Sequence, residues 1–138
     1  MRINALRANP TRDWVQEQED ETVKTNAQVE QVLDQLMHLA DEVADEATEF
    51  SDDGQPGEAR RHREHALALL SGAALIANAF PETMRSGWIA LRLGAVAVDA
   101  GDQKTGQALL SRASEIATEE QDEDLTEAVH AEFAEMIL

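Results

Sequence analysis

The sequence predicts an all-α protein built from antiparallel helical hairpins, arranged as a stack of hairpins or as an irregular helix bundle. Helix formers such as Ala, Leu, Glu and Gln dominate the 138 residues, and no segment shows the alternation of β-branched and aromatic residues that is typical of strands. The chain is 43% hydrophobic, which is enough to form a core. Short breaks, most of them containing Gly or Pro, separate the apolar segments, and because these turns are short, successive helices should lie antiparallel to each other.

The basic charge of the chain is concentrated at its start. Residues 1–12 contain three arginines and no acid, so they carry +3, and the net charge of −17 leaves −20 on the remaining 126 residues. We therefore predict an N-terminal arm or strap over residues 1–24 and a single α-helical domain over residues 25–138. The second half of the arm is expected to be a short helix or an extended strap. The side chains expected to make the contacts of the arm are Arg2, Arg7, Arg12 and Trp14.

The first predicted helix begins near Thr25, because Thr25 and Gln28 have the spacing of a capping box. Apolar residues then recur at alternating steps of four and three, which forms a heptad seam that can pack against a second helix. The sequence SDDGQPG at residues 51–57 ends this helix with Gly and Pro. The seam consists of Val29, Leu33, Leu36, Ala40, Val43, Ala47 and Phe50.

The second predicted helix runs from about Glu58 to Phe80 and ends at a proline. Its second half is apolar on nearly every side, as expected for a helix that is surrounded by others. The small residues Ser71 and Gly72 are expected to allow a close backbone crossing. The basic stretch from Arg60 to Arg63 should pair with the acids at the end of the first helix; a partner site is the alternative.

Three further helices are expected in the second half of the chain. The third spans about Glu82 to Ala100, and Gly101 is a natural C-terminal cap. Asp102 is a natural N-cap for a fourth helix that ends near Thr118. A last helix follows the acidic run at residues 119–124. Its apolar side consists of Leu125, Ala128, Val129, Phe133, Met136 and Ile137.

Small and large residues in the third and fourth helices fall at characteristic positions. The pattern consists of Leu93, Gly94, Gly101, Gly106, Leu110 and Ala113. With this pattern, residues 87–118 resemble a tetratricopeptide repeat, a helix–turn–helix unit of about 34 residues. The resemblance implies a stack of hairpins, with residues 25–80 as a longer preceding unit and residues 122–138 as a capping helix. The sequence departs from the family pattern at Ala90, Ala97, Gly106 and Thr118, and a plain four- or five-helix bundle is the alternative.

One face of the third helix is the candidate protein-binding surface. Arg85, Trp88 and Arg92 share this face through spacings of three and four, and Trp and Arg are enriched at interface hot spots. The alternative is that the tryptophan belongs to the core and the two arginines pair with neighbouring acids. The resemblance to tetratricopeptide repeats implies that the first helix of each hairpin lines a concave groove. The residues that it places toward the groove are Trp88, Leu91, Ala95, Val98 and Asp99.

Neither an enzyme nor a metal site is expected from the motifs. The chain has no Cys and therefore no thiol nucleophile, and it contains no Gly-rich phosphate loop and no serine-nucleophile motif. His62 and His65 have a spacing that could serve a metal, but arginines surround them. Glu127 and His130 form one Glu-x-x-His motif where a di-iron bundle needs two. We expect no cofactor, no metal and no catalytic residue.

The charge excludes two classes of partner. A body of −20 should repel nucleic acid and anionic membranes, and no apolar run is long enough to span a bilayer. Excess acid with only two lysines is typical of proteins from a salt-accumulating halophile. The alternative interpretation is an acidic interaction protein from a GC-rich mesophile.

These features predict a non-enzymatic helical scaffold that binds a protein partner or its own copies. We expect it in the cytoplasm, or as a structural component of a larger assembly, such as a virion formed there, held by its N-terminal arm. The alternative is an acidic inhibitor that mimics nucleic acid and binds a DNA-binding protein.

Overall fold

The computed structural model describes the backbone of residues 2–137 and the side chains of residues 14–137, and it confirms the all-α fold. Long helices α1 and α2 form a first hairpin, α3 and α4 form a second, and α5 packs against both helices of the second hairpin. A short 3-10 turn, Pro81–Thr83, joins the two hairpins, and the described backbone contains no strand. The helices are α1 (Arg2–Asp52), α2 (Pro56–Ala79), α3 (Ser86–Asp99), α4 (Gln103–Glu120) and α5 (Glu123–Ile137).

Helix α1 is continuous, so the helix start predicted at Thr25 is wrong. The preceding residues are rich in Gln and Glu and include no Gly or Pro after residue 10, so nothing ends the helix before the capping sequence. Residues 14–25 are all exposed, and the first buried residue is Leu33. Residues 14–28, which we call the α1 extension, therefore project from the body. The division into arm and domain stays a prediction, and the predicted contacts of Arg2, Arg7 and Arg12 lie outside the described side chains.

The predicted heptad seam of α1 is confirmed as the face that packs on α2. Leu33, Ala40, Val43 and Ala47 are buried, whereas Val29, Leu36 and Phe50 at the same face are partly buried. The partners on α2 are mostly alanines, which let the two helices lie close together. This first core also takes Ile89 and Val96 from α3, so it joins the two hairpins.

The third helix begins later than predicted. After the 3-10 turn, Met84 adopts a left-handed conformation with φ of 55°, and α3 starts only at Ser86. Thr83 is almost fully buried, and its hydroxyl donates a 2.7 Å hydrogen bond to the carbonyl oxygen of Phe80. The turn is thus held by its own side chain. Met84 itself is exposed.

Two glycines allow α3 and α4 to cross closely, as predicted. A Cβ atom at Gly94 would lie 3.2 Å from the carbonyl oxygen of Gly106, and one at Gly106 would clash with the side chain of Val98. The predicted connection is also confirmed, because Gly101 has a φ of 91° and the Asp102 side chain accepts a hydrogen bond from the N–H of Thr105. That hydrogen bond lowers the pKa of Asp102.

Gly72 does not make the close crossing that was predicted for it. A Cβ atom there would meet no heavy atom of a neighbouring element within 4 Å. The glycine that admits a neighbour without having been predicted is Gly87, where a Cβ would clash with Leu125 of α5. The close contact of α3 with α5 therefore depends on this position.

The second core lies among α3, α4 and α5. Trp88 is partly buried and packs against both cores, so it connects the two hairpins. Five of the six apolar residues predicted for α5 are buried or partly buried in or against this core, namely Leu125, Ala128, Val129, Phe133 and Met136, whereas Ile137 is exposed. The buried members of the second core are Ala90, Leu91, Leu110, Ala113, Ile116, Ala117, Leu125 and Val129.

The predicted pairing between the basic start of α2 and the acids of α1 is made by a histidine. The His62 ring packs against Phe50 at a tilt of 42° and places Nε2 at 3.2 Å from a carboxylate oxygen of Glu46. Among the described side chains, no arginine of residues 60–63 forms an ion pair with α1. Arg61 pairs instead with Glu58 on its own helix, at 3.0 Å. The prediction is therefore wrong for the arginines.

Candidate protein-binding groove

A groove of about 430 Å³ lies between α1 and α5, with α3 along its base. Its floor is apolar and includes Leu91 and Ala95 of α3 together with Leu70 of α2. Its rim carries carboxylates from three helices. The full lining is Ala40, Asp41, Ala44, Asp45, Leu70, Trp88, Leu91, Arg92, Ala95, Val96, Asp99 and Glu132.

Most of the face predicted on α3 lines this groove. Five of the seven predicted residues are among its lining: Trp88, Leu91, Arg92, Ala95 and Asp99. The other two, Arg85 and Val98, are not. Val98 faces α4, because the missing side chain of Gly106 leaves room for it. The role of this face in binding a protein stays a prediction.

The two arginines of the predicted face, Arg92 on α3 and Arg85 immediately before its first residue, attach α3 to α1. Arg85 donates hydrogen bonds to both carboxylate oxygens of Asp34, at 2.8 and 3.3 Å, and to the carbonyl oxygen of Thr83. The hydrogen bond with Asp34 raises the pKa of Arg85. Arg92 donates to Asp41 at 3.1 Å and to the carbonyl oxygen of Trp88. The structure thus brings both arginines to neighbouring acids, which was the alternative to a binding role.

The acids at the α3–α5 side of the groove are incompletely neutralised. Partial burial raises the pKa of Asp99; the charge of Arg63 lowers it, and that of Glu135 raises it. Burial likewise raises the pKa of Glu132, and the charges of Glu135 and Asp99 raise it further. A raised pKa means that the surroundings disfavour the charged form. A cation placed between these carboxylates would relieve their repulsion.

The sequence did not predict the walls of the groove. Asp41 and Asp45 lie on α1 beside the heptad seam, and Glu132 lies on α5. Nothing in the local sequence distinguishes these three acids from the others of the chain. They come together through the way in which α1 and α5 flank α3, which depends on contacts far apart in sequence.

A second cleft of about 440 Å³ lies on another side of α3, between α2 and α4. Glu119 and Glu120 stand at one end, and one carboxylate oxygen of Glu120 is buried with no hydrogen-bond partner. Burial, together with the charges of Asp122 and Glu119, raises the pKa of Glu120. Arg112, which also lines the cleft, pairs with Glu115 at 3.2 Å. The sequence did not single out this cleft.

The histidines do not gather into a site. His38 pairs with Glu42 on its own helix at 3.0 Å, and His62 is held by Glu46 and by the carbonyl oxygen of Glu58.

Within the part of the chain that the structure describes, no three His, Asp or Glu side chains form a group that could hold a metal ion. In that same part, every helix is too short or too polar to cross a membrane.

The α1 extension exposes large apolar side chains. Trp14 is 60% exposed, Val15 44% and Val23 69%, and no other element covers this length of helix. An isolated helix of such a length is only marginally stable in water. Trp14, which was predicted to make contacts of the arm, is not buried by any of the side chains that the structure describes.

Comparison with protein-family models, with curated proteins and with solved structures finds no significant match for this chain.

Proposed function

We propose that this chain is a non-enzymatic helical scaffold that binds a protein segment in the groove between α1, α3 and α5. The observation that carries the proposal is the combination of an apolar floor with a rim of carboxylates. Apolar contact supplies affinity, and charge supplies selectivity and a fast encounter. A groove of this kind suits a segment that presents apolar side chains together with Arg or Lys.

The rim favours a basic segment. Five carboxylates stand in or beside the groove, and they belong to Asp41, Asp45, Asp99, Glu132 and Glu135. Two arginines lie near them: Arg92 pairs with one carboxylate, and Arg63 acts on another. The region therefore retains about three negative charges, and a partner carrying a similar number of positive charges would neutralise it.

A photo-crosslinking amino acid tests the proposal. It replaces Asp45 on the groove rim in the full-length chain, and in a matched control it replaces Glu64, an exposed acid of α2 that does not line the groove. Irradiation in the cells that produce the protein should give protein adducts at the groove position only. Mass spectrometry of the adducts should find a segment with net positive charge.

Charge reversal in the groove gives the second half of this test. Asp99→Arg with Glu132→Arg should abolish the adducts, whereas Glu64→Arg with Glu127→Arg, two exposed acids outside the lining, should leave them. Equal adducts at both crosslinker positions, or none, would contradict the proposal. Adducts with a DNA-binding protein that added DNA displaces would instead support nucleic-acid mimicry.

A further inference from the structure

The start of the chain has the charge that the groove lacks. Residues 1–12 carry three arginines and no acid, and the apolar pair Trp14 and Val15 follows almost at once. The groove region retains about three negative charges above an apolar floor. The segment and the groove are thus complementary in sign, in amount of charge and in having an apolar part.

Covalent geometry keeps most of the charge of this segment away from the groove of its own chain. Trp14 lies 27 residues before Asp41 on one continuous helix, which places it about 40 Å from the groove at 1.5 Å per residue. Even a fully extended chain back from Trp14 would carry Arg7 only about 25 Å and Arg12 about 7 Å. At least two of the three arginines therefore cannot reach the groove of the same copy while α1 is intact.

We propose that residues 1–12 of one copy bind in the groove between α1, α3 and α5 of a second copy. This inference rests on the proposed function and names the occupant of the groove. The α1 extension acts as a spacer that carries the basic segment away from its own body and toward another. Trp14 and Val15, exposed at the end of that spacer, would reach the rim of the receiving groove and lose water there.

The exchange can be reciprocal. Each copy supplies one basic segment and one acidic groove, so two copies can satisfy each other in a closed dimer. Binding would also give the α1 extension the contacts that it lacks within one copy. The arginines of the second chain would also offset the charge of Asp99, which raises the pKa of Glu132 in a single copy.

Complementary charge reversal tests the proposal in the full-length chain at low salt. The groove variant carries Asp99→Arg and Glu132→Arg, and the segment variant carries Arg2→Glu, Arg7→Glu and Arg12→Glu. The wild-type chain should have a mass in solution above the 15.2 kDa of one copy. Each variant alone should associate at least about tenfold more weakly, because like charges then face each other.

Restoring the complementarity should restore the assembly. A mixture of the two variants pairs a basic segment with an acidic groove and an acidic segment with a basic groove, so it should associate nearly as tightly as wild type. The chain that carries all five reversals should do the same with its own copies. Glu64→Arg with Glu127→Arg should have little effect, and circular dichroism checks that each variant remains helical.

Several outcomes would overturn the proposal. These are a chain that stays at 15.2 kDa at every concentration, association that the segment reversal leaves unchanged, and a mixture of variants that fails to associate. Loss of association in Val23→Glu, with both charge variants unaffected, would mean that the α1 extensions pair with each other instead. A crosslink from the Asp45 position to a different protein would keep the proposed function and remove only the second copy as occupant, whereas no adduct there would remove both.

Discussion

Gly106 sets the distance between α3 and α4. Its missing side chain leaves space for Val98 and lets the carbonyl oxygen of Gly94 approach to 3.1 Å from where a Cβ atom would stand. Leu110, which is fully buried, fills the space beside this crossing. Close packing here matters for the groove as well, because α3 forms its base.

Gly106→Ala should therefore destabilise the protein. The added methyl group would overlap the stiff side chain of Val98, and it would stand 3.1 Å from the carbonyl oxygen of Gly94 on its other side. Such overpacking lowers the free energy of unfolding by about 1–3 kcal/mol. The matched control is Gly72→Ala, where the Cβ meets open space and the gain in helix propensity should stabilise by up to about 1 kcal/mol. Urea unfolding monitored by circular dichroism measures both, and opposite signs are expected. Equal effects would contradict this account of the crossing.

Gly94, Gly106 and Gly72 show how far a sequence predicts close helix contacts at single residues. The positions of Gly94 and Gly106 relative to Leu93 and Leu110 predicted a close crossing, and the structure has it. Gly72 looked equally suitable, yet its side of α2 faces no other element closely. Helical periodicity shows which residues share a face but not which neighbour, if any, covers that face.

At the scale of elements, the helix seams and connections were predictable and the starts of α1 and α3 were not. The heptad seam from Val29 to Phe50 needed only periodicity, and the break before Pro56 needed only Gly and Pro. Thr25 has a capping sequence, but a capping sequence does not end the helix that precedes it. The start of α3 moved to Ser86 because Met84 took up a left-handed conformation to which its residue type gives no clue.

The sequence predicted which residues share one face of α3, but it did not predict which residues of other helices lie beside that face. Its own spacing placed Trp88 and Arg92 together, and the structure puts both at the groove. That Arg92 would bond to Asp41, 51 residues earlier in the chain, could not be read from local pattern because α1 carries so many acids. The walls of the groove are a tertiary property, since they depend on how α1 and α5 are placed beside α3.

The seam between α3 and α5 should make stability depend on pH. Partial loss of hydration raises the pKa of Asp99 above its ordinary 3.8 and that of Glu132 above its ordinary 4.5. A carboxyl whose pKa is higher in the folded state favours folding when protonated, so this contribution is present at acid pH and is lost as pH rises through the folded pKa. At neutral pH the two charged groups thus weaken the fold.

Asp99→Asn with Glu132→Gln should raise the thermal midpoint at pH 7 by a few degrees, since both sites are partly open to solvent and their repulsion is partly screened. The gain should shrink as the pH is lowered toward the ordinary pKa values of 3.8 and 4.5, where wild type becomes protonated as well. Glu64→Gln with Glu127→Gln, two exposed acids outside the groove, controls for the loss of two negative charges anywhere on the body. A gain that is the same at every pH, or that the control reproduces, would contradict a specific role for this seam.

At the scale of the whole molecule, charge acts on the fold and on assembly in opposite directions. The residues after the basic segment hold −20, so their mutual repulsion opposes the compact state, and added salt relieves it. The attraction between the basic segment and the groove depends on the same electrostatics, and added salt weakens it. Salt concentration therefore separates the effect of charge on the stability of the fold from its effect on assembly.

A KCl titration from about 0.1 to 3 M, over which the screening length falls from about 10 Å to below 3 Å, should give opposite trends in two measurements. The thermal midpoint should rise steeply, and a neutral osmolyte at matched osmolality should raise it less. A flat or falling midpoint would remove the halophile interpretation and leave the helical fold untouched.

The mass in solution should fall toward 15.2 kDa over the same KCl titration, to an extent set by how much of the binding the apolar contacts of Trp14 and Val15 supply. If Trp14→Ala dissociates the assembly at high salt but only weakens it at low salt, the apolar contact is what holds two copies together in a cell rich in KCl.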